Sequence, residues 1–136
     1  MMEEQEFTKL LAEFLRQFGL FSGLLTVDRV GLAPGSVGLF PGGQTETLLR
    51  RSILDHCLYR STWQFVLRYR AVSGEDAARR LEQFALWVQD RSDRGLCPVF
   101  GGDTRITTGK ISLADPRADG CGLYEIGLTV TATVGR

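Results

Sequence analysis

The chain is predicted to fold as a single α+β domain, with a mostly antiparallel or mixed β-sheet covered by two principal helices. Two neighbouring patterns carry that prediction. Across residues 62–70, Trp63, Phe65, Leu67 and Tyr69 alternate with Thr62, Gln64, Arg68 and Arg70, and Val66 alone breaks the polar set. Alternation at period two puts the aromatic set on one face of a strand and the polar set on the other. Directly afterwards, over about residues 74–90, Ala77, Ala78, Leu81, Phe84, Ala85 and Val88 recur at helical spacing. A helix with that stripe can lie on the aromatic face of the strand, so each covers the other. A chain of 136 residues that is 43% hydrophobic is large enough for one ordinary core, and residues 1–136 read as one domain.

The other elements follow in chain order. Phe7, Leu10, Leu11, Phe14, Leu15 and Phe18 mark a first helix from Glu3 or Glu4 to Phe18, with Gly19 as its stop. Glutamates in its opening turn suit the positive end of the helix, and its narrow apolar stripe suits a sheet rather than a bilayer. Residues 24–30 form a short extended piece, and Ala33-Pro34-Gly35 is a turn. A brief strand over 36–40 is expected to end at Pro41-Gly42-Gly43, because proline removes a ladder donor and the glycines permit a reversal. Residues 45–56 and 57–71 then make a broad antiparallel hairpin.

Ser73 is the expected cap of the second helix, with Glu75 and Asp76 in its first turn and Asp76 in the reciprocal capping position. Trp87 stands at the edge of the stripe, placed to pack across an element boundary. Residues 91–102 are turn-rich, 104–114 form another strand, and 115–122 are an acidic, turn-rich insertion. In 123–134, Tyr124, Ile126, Leu128, Val130 and Ala132 alternate with Glu125, Gly127, Thr129, Thr131 and Thr133, which predicts a strand whose threonine face meets solvent or a partner. The candidate core is therefore Phe14, Trp63, Phe65, Leu67, Leu81, Phe84, Tyr124, Ile126 and Leu128.

Charge and motif content narrow the function classes. Sixteen basic and sixteen acidic residues cancel, so no global field favours nucleic acid or an anionic membrane. Arg60, Arg68 and Arg70 stand near aromatics, but those aromatics recur at strand period and are better used in a core, so direct nucleic-acid recognition is not expected. Cys57, Cys97 and Cys121 are an odd set with no close CxxC pair, which suits reduced thiols rather than a zinc site or a disulfide framework. The acidic opening Met-Met-Glu-Glu-Gln-Glu is unlike a secretory signal, and no apolar run reaches membrane-spanning length, so a protein made and assembled inside a cell is expected.

Catalytic signatures are thin. Asp55-His56-Cys57 holds the residue types of a cysteine hydrolase, yet in an extended strand His56 points away from its two neighbours. Pro41-Gly42-Gly43 lacks the Gly-Lys-Ser or Gly-Lys-Thr of a phosphate loop, and Asp115 and Asp119 do not keep the ligand rhythm of a calcium loop. No catalytic residue, cofactor or metal is assigned. The candidate interface residues are Arg50, Arg51, Arg68, Arg70, Thr129 and Thr131.

Three stretches taken together, Val37-Gly38-Leu39-Phe40-Pro41, Tyr59 to Arg70, and Phe84-Ala85-Leu86-Trp87-Val88, occur in an order that resembles the minor capsid or tail terminator proteins of long-tailed bacteriophages and prophages. The resemblance runs from Leu24 onward and includes the late strand Tyr124 to Val130. It implies a small α+β subunit that forms a ring, usually a hexamer, at the head-proximal end of the tail tube. The implied partners are further copies of the chain, the tail tube protein and a head completion or connector protein. The implied location is the virion tail, assembled in the bacterial host cytoplasm. The chain departs from many of those proteins within residues 44–55, where Arg50-Arg51 stand in place of an aspartate-glycine turn. A head–tail connector or stopper component is the nearest alternative; a cysteine-dependent hydrolase is the alternative of a different class.

Overall fold

The computed structural model describes residues 4–18, 25–28, 30, 35–51, 57–94, 104–115 and 122–135. They form helix α1 (Glu4–Leu15), strands β1 (Leu25–Val27), β2 (Val37–Arg51) and β3 (Cys57–Arg70), helix α2 (Gly74–Asp93), and strands β4 (Arg105–Asp115) and β5 (Leu123–Gly135). The strands make one mixed sheet in the order β1-β2-β3-β5-β4. Only β1 and β2 run parallel; the other three pairings are antiparallel. The predicted α+β domain is present. Because β5 separates β3 from β4, helix α2 crosses from one to the other over a strand that comes later in the chain.

The residues of β3 sort by parity. Ser61, Trp63, Phe65, Leu67 and Tyr69 are buried, opposite Ala132, Val130, Leu128, Ile126 and Tyr124 of β5. Val37 and Leu39 of β2 and Ile106 of β4 extend that face, and it is closed from one side by Leu11, Phe14 and Leu15 of α1 with Phe18 in the turn after it, since α1 ends at Leu15 rather than at Phe18, and from the other by Ala77, Leu81, Phe84 and Val88 of α2. The helices meet each other through aromatic rings. Trp87 stacks on Phe14 at 5.1 Å between centroids and lies 5.5 Å from Phe18, which meets Phe84 edge-on at 5.4 Å. Trp87 thus bridges the two helices, as its place at the edge of the stripe suggests.

Several expectations require correction. Pro41-Gly42-Gly43 does not end a strand: β2 continues through it as a bulge, with Pro41 opposite Phe65, Gly43 opposite Gln64, and Gly42 as the extra residue. Past Leu39 no described strand lies outside β2, so the missing proline donor removes no ladder bond on that side. Glycine suits both positions that follow. A Cβ on Gly42 would stand 3.2 Å from the Gln64 carbonyl oxygen, and Gly43 adopts φ 131°. Helix α2 runs on to Asp93, because buried Ser92 is still on its inner face and its hydroxyl accepts a hydrogen bond from the Ile106 amide at 3.0 Å.

Tyr124 is at the rim of the core rather than inside it. It is half-buried, and its hydroxyl lies so near Gly74 that a Cβ there would approach it to 3.0 Å. Leu10 is 36% exposed, off the buried stripe of α1. Ser73 caps α2 as expected, accepting the Asp76 amide at 3.1 Å, but the Asp76 carboxylate does not complete the reciprocal cap. It turns instead to Tyr69, Arg79 and Arg80. The expected stop at Gly19 and the loops over 52–56, 95–103 and 116–121 lie outside the described residues.

Phe65 sits in the middle of the buried row at 2% exposure. Phe65→Ala is expected to lower stability by about 3–5 kcal/mol, from lost burial plus the cavity left behind. Chemical denaturation with an unchanged m-value checks it.

Candidate interaction surface

The residues of opposite parity form a second face that neither helix covers. Across the sheet, Thr45, Thr62, Thr131 and Arg105 stand in one row, and Gly43, Gln64, Thr129 and Thr107 in the next. Thr62, Thr129 and Thr131 are half-buried by their neighbours, whereas Thr45, Gln64, Arg105 and Thr107 are exposed. Short β-branched side chains give this face strand propensity without an apolar patch, so it can remain in water.

Towards the other end of the face lies a charged group. Arg68 donates through Nε to Glu125 Oε2 at 3.2 Å, and its guanidinium stands 4.6 Å from the centre of the Phe40 ring. The two partners sit on the strands flanking β3, so one side chain ties three strands together. Both side chains of the ion pair are about a third exposed, at 38% and 31%, which limits the pair's worth to a surface contact. Phe40 is the apolar member, and its ring keeps the arginine flat on the sheet.

The candidate interface residues do not fall in one place. Arg68, Thr129 and Thr131 share the open face. Arg70 is corrected: it has the same parity but is only 6% exposed. Its backbone is paired as well. Arg70 donates its amide to the Ser36 carbonyl at 2.9 Å and accepts the Gly35 amide at 2.7 Å, so the chain entering β2 pairs beside this end of β3. Arg50 and Arg51 are at the hairpin end of β2, opposite Leu58 and Cys57, and their side chains lie outside the described residues. So do Asp55, His56 and the side chain of Cys57. Among the described residues, no group of three histidine, cysteine, aspartate or glutamate side chains is placed to hold a metal ion, and no helix is long and apolar enough to cross a membrane.

A second polar cluster, not anticipated from the sequence, joins β3 to α2. The Tyr69 hydroxyl donates to Asp76 Oδ2 at 2.8 Å, while Arg79 Nη2 and Arg80 Nε donate to Oδ1 at 3.1 and 2.9 Å. The only sequence signal for it is an aromatic residue ending a strand a few positions before an acidic helix entrance. Burial, then the hydrogen bond to Asp76 and its negative charge, push the Tyr69 hydroxyl up to about 12. Desolvation by itself would raise the Asp76 carboxyl; the hydrogen bonds from Arg80, Tyr69 and Arg79 outweigh it and hold the carboxyl below its ordinary value. An open groove of about 300 Å³ lies beside this joint, lined by Val72, Ser73, Glu75, Asp76 and Arg79.

No family model matches the chain, and no curated protein matches it.

The depressed Asp76 carboxyl ties folding to pH. Its stabilising contribution is complete above the ordinary carboxylate range near ~4 and is lost as pH falls through the lower native value. Asp76→Asn is expected to lower stability at neutral pH by about 1–3 kcal/mol, as for other hydrogen bonds to a charged group. It should also flatten the loss of stability on acidification, which denaturant melts from neutral to acidic pH would read.

Proposed function

We propose that this chain is a non-enzymatic structural subunit that assembles with copies of itself into a ring and terminates the tail tube of a long-tailed bacteriophage. The order of the three quoted stretches and the late strand supports the tail terminator reading. The observation that carries the structural part is the one-sided cover of the sheet: the helices close one face, and a broad threonine-rich face is left for contact. In this reading the partners are further copies, the tail tube protein and a head completion or connector protein, and the site of action is the virion tail.

The fold is suited to that work. A closed ring of identical subunits needs two different, mutually complementary patches on each copy. The long β2–β3 hairpin and the β4 side of the sheet lie at opposite sides of the molecule, which is the arrangement a head-to-tail contact requires.

Sedimentation at rising concentration should give a discrete ring species, and electron microscopy with isolated tail tubes should place it at one tube end. A strictly monomeric chain that never decorates a tube end overturns the proposal. Binding to the portal-proximal vertex of heads, and not to tubes, assigns the chain to a connector or stopper instead.

The basic pair at the hairpin end gives a second test. Arg50→Glu with Arg51→Glu is expected to leave the circular dichroism spectrum unchanged and to weaken assembly, with the larger loss at low salt, where exposed charges are least screened. Unchanged assembly of the folded double variant removes this pair from the interface.

A further inference from the structure

The long hairpin overshoots the rest of the sheet. Arg105, where β4 starts, is level with Thr131, Thr62 and Thr45, so residues 46–51 of β2 extend past the start of β4. Of the 15 residues in β2, only the first three pair with β1, and the 12 from Phe40 to Arg51 have no described strand on their outer side. At the opposite margin β4, with 11 residues, likewise has no described strand beyond it. Two sheet margins of nearly equal length remain.

Resting on the reading of the chain as a ring-forming subunit, we propose that residues 40–51 of β2 in one copy pair with β4 of the next, so that the sheet continues from subunit to subunit. Strand sense permits it. The ladder alternates from β2 through β3 and β5 to β4, so β2 runs opposite to β4, and a neighbour's β2 laid beside β4 in the same orientation pairs antiparallel. Both faces also continue across the junction. Thr45 and Thr47 of β2 meet the face that carries Arg105, Thr107 and Ser112 of β4. On the helix side, each margin presents a leucine that is 49% exposed, Leu48 on β2 and Leu113 on β4.

The overshoot supplies the stagger that such a junction needs. Aligning the two margins end to end shifts one copy by about five residues, or roughly 17 Å at ~3.4 Å per residue. Four strands per copy, β2, β3, β5 and β4, span roughly 19 Å at ~4.8 Å per strand. That shift over that width tilts the strands by about 40°, inside the ~35–45° at which sheets close into barrels. The helices lie on one face only, so the wider outer circumference falls to them and the threonine-rich face lines the inside. Pro41, the Gly42 bulge and the Gly109-Lys110 interruption in β4 keep either margin from pairing in an arbitrary register.

Cysteine cross-linking tests the junction. In a background with Cys57, Cys97 and Cys121 replaced by serine and the circular dichroism spectrum retained, Thr45→Cys is combined in turn with Thr107→Cys, Lys110→Cys or Ser112→Cys and treated with a short bismaleimide. At least one pair should give a ladder of covalent oligomers ending at the ring species, and each single-cysteine variant should stay monomeric on a denaturing gel. Rings that form by sedimentation but yield no ladder with any pair overturn the strand pairing and leave the ring reading standing. A dimer from Thr45→Cys alone shows β2 meeting β2 and overturns the junction. A chain that is monomeric at every concentration overturns both.

Discussion

Strand β3 is the member to which nearly everything else is fastened. It pairs along nearly its whole length with β2 on one side and β5 on the other, and its inward row from Ser61 to Tyr69 is the middle of the buried face that the helices close. Two antiparallel ladders fix its register, and a slip of one residue would turn Trp63, Phe65 and Leu67 to water and Gln64 and Arg68 into the core. The fold therefore has one alignment that satisfies both faces. The polar joint at Asp76 adds a second restraint at the end of the strand, holding the start of α2 over Tyr69 so that the helix sets off in the direction its apolar stripe requires.

Among the described residues, two helices face a five-stranded sheet, and both lie on one side of it. Helix α1, with Phe18 just beyond it, packs against α2 through Phe14, Phe18, Phe84 and Trp87, and both helices are used up on the same face. Among the described residues the other face is left to water or a partner, and its composition suits either: threonines, the Arg68–Glu125 ion pair and the Phe40 ring beside the arginine. Contact with such a surface would draw on hydrogen bonding and fit more than on apolar area.

Much of the fold was legible because local pattern and tertiary role agree. The alternation of Trp63 to Tyr69 and of Tyr124 to Ala132, and the helical spacing from Ala77 to Val88, each state which side is buried. What was not legible depends on neighbours distant in sequence. Pro41-Gly42-Gly43 reads as a stop until β2 is seen to have no strand outside it there, after which the same residues are a bulge. Arg70 reads as one more outward residue of β3, yet it is buried at the end of the strand where the entry to β2 pairs beside it. The order β3-β5-β4 has no local signal, since strand patterns report a face and not a neighbour. The open face was legible as polar; that Arg68 would lean on Phe40 and Glu125 required the register.

The place of β5 has a consequence for how the molecule comes into being. Its residues are the last of the described elements to be synthesised, yet they occupy a slot between two strands made earlier. Until residues 123–135 have left the ribosome, β3 and β4 cannot be joined, α2 spans a gap, and the outer half of the sheet has nothing to close on. The β2–β3 ladder can form earlier, but both the β3–β5 and the β4–β5 ladders are deferred to one late event, so the nascent chain carries the β5 flank of its aromatic row unpaired until then.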